Sequence, residues 1–199
     1  ESFSIKDWMK EENGSALFIT SQARFESELS ALQTAWFEIV ISNILSKEQN
    51  SGNTWVIMDE LASLKKIPSL HRALSAARSY GGCFILGLQN ISQLQDVYGH
   101  HNAGSISAEC NTRCIFKSND PETAKWASQN IGDEEIIESN RSLSYGAHEV
   151  RDGVSVTRNA KVRPLAMASE IQHMKILNFY LKMVDSPIIK KSIKYKKRK

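Results

Sequence analysis

Two adjacent carboxylates, Asp59 and Glu60, follow the apolar run WVIM at residues 55–58. Four consecutive apolar residues predict a short strand buried on both faces, typical of the centre of a parallel sheet. Acids after such a strand lie at the sheet edge where α/β proteins bind ligands. One carboxylate can hold Mg²⁺ there, and its neighbour can polarise the water that attacks a γ-phosphate. The alternative is that the pair only ends a strand and begins a turn.

Gln89 and Arg78 fall at positions that a nucleotide site would use. Gln89 ends the next predicted strand, at residues 83–88, so its amide lies beside Glu60 if the strands are neighbours. It can then sense the γ-phosphate or orient water, and Arg78 can act as an arginine finger toward the next subunit of a ring. The alternatives are a glutamine bonded to a loop and an arginine that stabilises a helix dipole.

Strands and helices alternate between residues 15 and 132, which predicts βαβ units and a parallel sheet covered on both sides. Glu26 opens a mostly buried helix that ends near Ser46, and Asp120 caps a later helix that stops near Gly132. The remaining predicted elements are strands at 15–20, 83–88, 111–117 and 176–184, a helix from Pro68 to Gly81, a helix that contains Ile91, Leu94, Val97 and Tyr98, and a hairpin with its turn near Gly153, flanked by Val150, Val154 and Val156.

The composition is that of an ordinary globular protein of 199 residues, with 41% hydrophobic and 24% charged residues. No run approaches the roughly 20 apolar residues of a membrane span. Three cysteines without paired or metal-like spacing favour a reducing compartment. Adjacent His100 and His101 have no nearby cysteine, so a loop is favoured over a zinc site.

Basic residues are concentrated at the carboxyl end of the chain. Seven lysines and arginines and no acid follow Ile189, although acids outnumber bases in the rest of the sequence. Such a tail can contact nucleic acid or an anionic membrane. A solvated, disordered terminus is the favoured interpretation.

A phosphate-binding pattern G-x-x-x-x-G-K-[ST] does not occur in the 199 residues. Backbone N–H groups and a lysine in such a loop would hold the phosphates on which Asp59 and Glu60 act. The acids alone therefore make an incomplete nucleotide site.

The stretch WVIMDELASLKKIPSLHRALSAARSYGGCFILGLQNISQLQDVYG, followed by NTRCIFKS, closely resembles the TraD-type coupling proteins of conjugative type IV secretion systems. The similarity continues through SYGAHEVRDGVSVT and RPLAMASEIQHM to about Val184. This resemblance implies a RecA-like α/β fold, related more distantly to FtsK translocases, in a hexameric ATPase that pumps DNA. It also implies ATP and Mg²⁺ as cofactors, DNA with its relaxase and the secretion channel proteins as partners, and a place at the cytoplasmic face of the bacterial inner membrane.

The resemblance assigns roles to the residues already singled out. It implies that Asp59 holds Mg²⁺, that Glu60 is the catalytic base, that Arg78 is an arginine finger acting in trans, and that Gln89 is the sensor at the strand tip. Residues 1–185 would be the carboxyl part of a RecA-like nucleotide-binding domain, and 186–199 a disordered basic tail. Family members have transmembrane helices, a phosphate-binding loop and an inserted all-α domain before the part that this chain resembles.

The sequence is consistent with two functions. The first is a part of a DNA-pumping ATPase. The second is a non-hydrolysing module that keeps the fold and binds DNA or protein, which the missing phosphate loop and the basic tail favour.

Overall fold

The computed structural model describes residues 3–11, 14–48, 52–144 and 153–195. The chain divides into two compact units, Glu1–Thr112 and Arg113–Lys199. The assignment of residues 1–185 to one nucleotide-binding domain stays a prediction. Within the described ranges, no helix has the length and apolar composition needed to cross a bilayer.

The first unit contains most of the predicted helices and strands. Its elements are α1 (Ile5–Trp8), α2 (Glu26–Leu45), β1 (Thr54–Met58), α3 (Leu70–Ala76), β2 (Gly82–Leu86), α4 (Ile91–Tyr98) and α5 (His100–Glu109), with 3-10 turns at Ala23–Phe25, Leu61–Ser63 and Ala77–Tyr80. The prediction of a strand at residues 15–20 is wrong, because this segment has no regular secondary structure. Its apolar residues favour a strand, but a strand forms only where a neighbour accepts its backbone hydrogen bonds.

Strands β1 and β2 pair in parallel, from Thr54 opposite Gly82 to Met58 opposite Leu86. This pairing confirms the predicted βαβ unit around Asp59 and Glu60. The prediction that β1 is buried on both faces is wrong. Val56 and Met58 are each 3% exposed, but Trp55 and Ile57 are each 62% exposed. Only one face of the pair is packed against helices.

Helix α2 has the predicted position, and its inner side is formed by Val40, Ile41 and Ile44, all buried. It is less buried than predicted, because Leu32 and Ile39 are 44% and 42% exposed. A Cβ added to Gly82 would lie 2.9 Å from a side-chain carbon of Ile44. Helix α2 therefore packs closely on the covered face of β2.

Among its described residues, the second unit contains antiparallel sheets and two helices. Its elements are β3 (Arg113–Phe116), α6 (Pro121–Ile131), β4 (Asp133–Ser144), β5 (Gly153–Pro164), α7 (Ala168–Gln172), β6 (Asn178–Lys182) and β7 (Ile189–Ser192). The cap of α6 is confirmed, since Asp120 Oδ2 accepts the Thr123 N–H at 2.8 Å. The core of the second unit includes Ile115, Ala127, Ile131, Ile171 and Tyr180.

The alternation of elements predicts that β3 extends the parallel sheet, and this prediction is wrong. Strand β3 pairs antiparallel with β6, which also pairs antiparallel with β7. Alternation along the chain constrains the type of connection but leaves the partner of each strand open. Strands β4 and β5 form the predicted antiparallel hairpin, with Gly153 as the first residue of β5; Val150 lies outside the described residues.

The tail predicted to be disordered is partly a strand. Residues Ile189–Ser192 form β7, where Lys190 Nζ donates to Glu170, which also accepts the hydroxyl of Tyr180. Backbone pairing to β6 and this carboxylate partner give the basic segment a folded position that its composition does not reveal. Residues 196–199, with four of the seven basic side chains, lie outside the described part of the chain.

Candidate functional site

A cleft of about 470 Å³ lies beyond the carboxyl ends of β1 and β2. Glu60, which comes after β1, and Gln89, which comes after β2, both line it. The parallel pairing of the two strands brings these side chains to the same edge, where an α/β sheet places its ligands. The cleft is also lined by Ala62, Ser63, Gln93, Asp96 and Val97.

Gly87 fixes the geometry of this edge through its backbone. Its N–H donates to the Met58 carbonyl at 2.7 Å, and its own carbonyl accepts the Leu61 N–H at 2.9 Å. A Cβ at this position would stand 2.0 Å from the carbonyl oxygen of Asp59. Only a residue without a side chain allows the two strand ends to approach this closely. Sequence reasoning missed Gly87, although a lone glycine within an apolar strand pattern is a signal of close backbone approach.

The carboxylate of Glu60 is partly buried, and its Oε1 atom has no hydrogen-bond partner among the described residues. Burial raises the pKa of Glu60 above its ordinary value, and the charge on Asp59 adds to this effect. Hydrogen bonds from the backbone of Ala62 and Gln89 oppose the increase. A carboxylate with a raised pKa is a stronger base.

The segment that follows Glu60 is anchored to the helices on both sides. The backbone N–H groups of Lys65, Ile67 and Ser69 donate to side chains of Thr34 (3.1 Å), Tyr98 (3.3 Å) and Glu38 (2.9 Å), respectively. Leu61, at the start of this segment, is fully buried. These contacts anchor the segment from Leu61 to Ser69 to α2 and α4.

Helix α4 lies where the sequence predicts a helix, but sequence reasoning missed the side that this helix presents to the cleft. Gln93, Asp96 and Val97 lie three and four residues apart and therefore share one face of the helix. Ile91, Leu94 and Tyr98 occupy the buried side. The helical spacing of Gln93, Asp96 and Val97, shortly after Gln89, is the sequence signal that could have revealed this side of the cleft.

Asp59 is exposed and does not line the cleft, although it precedes Glu60 directly. No group of three or more potential ligands for a metal is present in the described ranges. Mg²⁺ is commonly held by one or two carboxylates together with waters and substrate phosphates. An exposed Asp59 beside a cleft fits that kind of binding and does not fit a cage made of protein alone.

Arg78 lies apart from this cleft. It is exposed and belongs to the 3-10 turn Ala77–Tyr80, which follows α3 and ends at Gly81 with a φ of 73°. The structure thus brings Glu60 and Gln89 together, places Asp59 next to them in the chain, and leaves Arg78 on the surface.

We expect Gly87→Ala to lower the free energy of unfolding by roughly 1 to 3 kcal/mol, because the new methyl group would clash with the Asp59 carbonyl. Gly104→Ala in α5 is the matched control, since no atom lies within 4 Å of a Cβ there. The control should raise stability by roughly 0.5 to 1 kcal/mol through helix propensity. Urea unfolding measures both variants, and equal effects would contradict the close approach.

The raised pKa of Glu60 predicts a pH-dependent effect of Glu60→Gln on stability. The folded state holds this proton more tightly than the unfolded state, so the contribution favours folding below the ordinary value of 4.5 and is lost as the pH rises through the folded pKa. Glu60→Gln should therefore stabilise the protein at pH 7 relative to wild type, and the gain should vanish in acid. Glu28→Gln, at an exposed position of α2, controls for the loss of one negative charge. A gain that persisted in acid would contradict the desolvation of Glu60.

Residues 1–194 match a family model described as the type IV secretion-system coupling protein DNA-binding domain. Coupling protein TraD of Escherichia coli K12 is 35% identical over 204 residues, an alignment that includes all of this chain and 28% of TraD. The conjugal transfer protein TraG of Agrobacterium fabrum C58 is 28% identical over 181 residues, covering 88% of this chain and 26% of TraG. The chain thus spans less than a third of the length of these relatives.

Solved structures of the conjugative coupling protein TrwB share the fold. The unbound monoclinic form of TrwBdeltaN70 has a TM-score of 0.84 and 32% identity, and the match covers 98% of this chain and 44% of TrwBdeltaN70. TrwB in complex with ADP and Mg²⁺ has a TM-score of 0.82 and 31% identity, over 98% of this chain and 43% of that one. The predicted RecA-like α/β class is confirmed by these matches.

Proposed function

Because the chain belongs to the family of type IV secretion-system coupling proteins, we propose that it is part of an ATP-driven motor that moves DNA into a conjugative secretion channel. The observation that carries this proposal is the match to the family over residues 1–194, which includes every residue of the cleft. The non-hydrolysing module is the less favoured function, because Glu60 and Gln89 line one cleft at the sheet edge where α/β proteins bind ligands.

The proposed chemistry uses the edge formed by β1 and β2. Glu60 is the general base: its partly buried carboxylate orients a water molecule and accepts its proton. Gln89, across the same cleft, contacts that water or the γ-phosphate. Asp59 would hold Mg²⁺ directly or through water, and the bound ion would neutralise charge on the phosphates. The complex of TrwB with ADP and Mg²⁺ supports this choice of cofactors.

The phosphates themselves need a further binding element. No stretch of the 199 residues has the pattern G-x-x-x-x-G-K-[ST]. We propose that polypeptide outside residues 1–199 holds the phosphates, and that the chain alone hydrolyses little or no ATP.

The proposed partners follow from the family. They are the conjugative DNA, the relaxase bound to it and the proteins of the secretion channel, and the proposed location is the cytoplasmic face of the bacterial inner membrane. We propose a homo-hexamer as the working assembly, with Arg78 of one subunit reaching the nucleotide of its neighbour. The exposure of Arg78 and its position outside the Glu60 cleft support action between subunits.

We expect Glu60→Gln to reduce ATP turnover about 10² to 10⁴-fold, because the amide cannot accept a proton. The measurement is DNA-stimulated ATP hydrolysis by the protein encoded by the complete reading frame that contains these residues, here termed the full-frame protein. Binding of a fluorescent ATP analogue should stay largely intact. The control variant Glu109→Gln makes the same chemical change in α5 and should leave turnover unaltered. Turnover in Glu60→Gln equal to wild type would remove Glu60 from the mechanism, and a wild-type protein without any ATP hydrolysis would favour the non-hydrolysing module.

Arg78→Ala should lower turnover about 10³-fold or more if its guanidinium stabilises the transition state in a neighbouring site. Arg72→Ala removes another exposed arginine, from α3, and should have little effect. Mixing Arg78→Ala with Glu60→Gln protein should restore part of the activity. A mixed ring contains interfaces at which the Arg78→Ala subunit supplies a wild-type Glu60 and its neighbour supplies a wild-type Arg78. Absence of any recovery in rings shown to contain both variants would contradict action in trans.

A further inference from the structure

The buried side of helix α4 is hydrogen-bonded to the segment that follows Glu60. Tyr98 is the last residue of α4, and it is 5% exposed. Its hydroxyl oxygen accepts the backbone N–H of Ile67 at 3.3 Å. Because α4 begins two residues after Gln89, this bond joins the part of the chain that follows Gln89 to the part that follows Glu60.

The hydroxyl of Tyr98 provides an acceptor for a buried donor. Ile67 is 1% exposed and lies outside any helix or strand, so its N–H has no partner from a regular backbone ladder. A buried backbone N–H without an acceptor is costly, and nearly all such groups are paired. Burial raises the pKa of Tyr98, and the charge on Glu38 adds to this effect, whereas the N–H of Ile67 opposes it. The hydroxyl is therefore neutral near pH 7.

The two segments that this bond joins form two walls of the cleft. The first, here termed the base wall, follows β1, and the second, here termed the helix wall, follows β2. The base wall consists of Glu60, Ala62 and Ser63, and the helix wall of Gln89, Gln93, Asp96 and Val97. Tyr98 comes directly after the helix wall, and Ile67 comes four residues after the base wall.

The walls are attached to each other at two separate places. At the strand ends, the N–H of Gly87 donates to Met58 and its carbonyl accepts the N–H of Leu61. At the far end of α4, the hydroxyl of Tyr98 makes the second attachment. One attachment would leave α4 able to pivot about the strand end. Two attachments fix the angle between the walls as well as their separation.

We propose that Tyr98 is a positioning residue of the cleft, whose hydroxyl holds the helix wall against the base wall so that Gln89 and Glu60 act on the same water molecule. This inference rests on the proposed ATP hydrolysis. Tyr98 does not line the cleft, so it acts through the position of α4 and makes no contact with the reacting groups.

Tyr98→Phe removes the hydroxyl and keeps the aromatic ring in the core. In the full-frame protein, we expect this change to lower kcat for ATP about 10 to 10²-fold, because small displacements of catalytic groups are costly. The KM for ATP should stay nearly unchanged, since the phosphates are held by other parts of the protein. Steady-state kinetics separates the two effects.

Tyr180→Phe is the matched control for the loss of a buried hydroxyl. Tyr180 is also 5% exposed, and its hydroxyl donates to Glu170 in the second unit. Both variants should lower the Tm by a few degrees, because each removes a hydrogen bond. Only Tyr98→Phe should lower kcat.

A second background distinguishes positioning from a general loss of structure. In Gln89→Ala protein, Tyr98→Phe should cause little further loss of kcat, because the amide that Tyr98 positions is already absent. A general structural defect would lower kcat by the same factor in both backgrounds.

Amide hydrogen exchange provides a measurement that does not depend on hydrolysis. In the full-frame protein, Tyr98→Phe should accelerate exchange in peptides from residues 61–69 and also in peptides from residues 91–98, because both walls lose an attachment. Tyr180→Phe should not accelerate exchange in either range.

Two results would overturn the proposal. The first is faster exchange confined to residues 61–69, which would show that α4 keeps its position without the hydroxyl. The second is an unchanged kcat in Tyr98→Phe when the wild type hydrolyses ATP. A wild type without any hydrolysis would contradict the motor function, and hydrogen exchange would still decide whether Tyr98 holds the two walls together.

Discussion

The backbone contact between Gly87 and the chain at Met58 to Leu61 is the constraint on which the candidate site depends. Two hydrogen bonds, of 2.7 Å and 2.9 Å, join these strand ends where no side chain fits between them. Glu60 follows the end of β1 by two residues and Gln89 follows the end of β2 by three, so this contact constrains the separation of the two residues. Their proximity is thus a property of the backbone, and the side chains add chemistry to a geometry already fixed.

Partial burial then gives Glu60 its character. The same packing that buries Leu61 and anchors the segment after it removes water from one carboxylate oxygen. An unpartnered, desolvated oxygen costs stability, and this cost raises the pKa in the direction that suits a base. Asp59, one residue earlier, is exposed and does not line the cleft, so two adjacent acids have different environments.

Local patterns predicted the elements around the site well, and long-range packing was the part they could not supply. Helix α2 and the cap at Asp120 follow from spacing within a few residues, and β1 and β2 follow from short apolar runs. The partner of β3, by contrast, is β6, more than sixty residues later, and no local signal encodes that choice. Strand β7 pairs with β6, which lies just before it in the chain, and its Lys190 contacts Glu170, so its basic composition was misleading. The exposure of Trp55 and Ile57 on β1 could not be predicted, because an apolar strand has the same sequence whether or not a second layer covers it.

The position of Arg78 relates the site to assembly. A single connection leads from Glu60 to Arg78: the 3-10 turn Leu61–Ser63, the anchored segment and α3. Its backbone is tied to α2 through Thr34 and Glu38, so Glu60 and the exposed guanidinium share a scaffold. Under the proposal that Arg78 reaches the nucleotide of a neighbouring subunit, a change at Glu60 on hydrolysis would be transmitted along this connection to the adjoining site. In the proposed ring the two functional groups of one subunit would serve two different nucleotides, and their common attachment to α2 would couple those two sites.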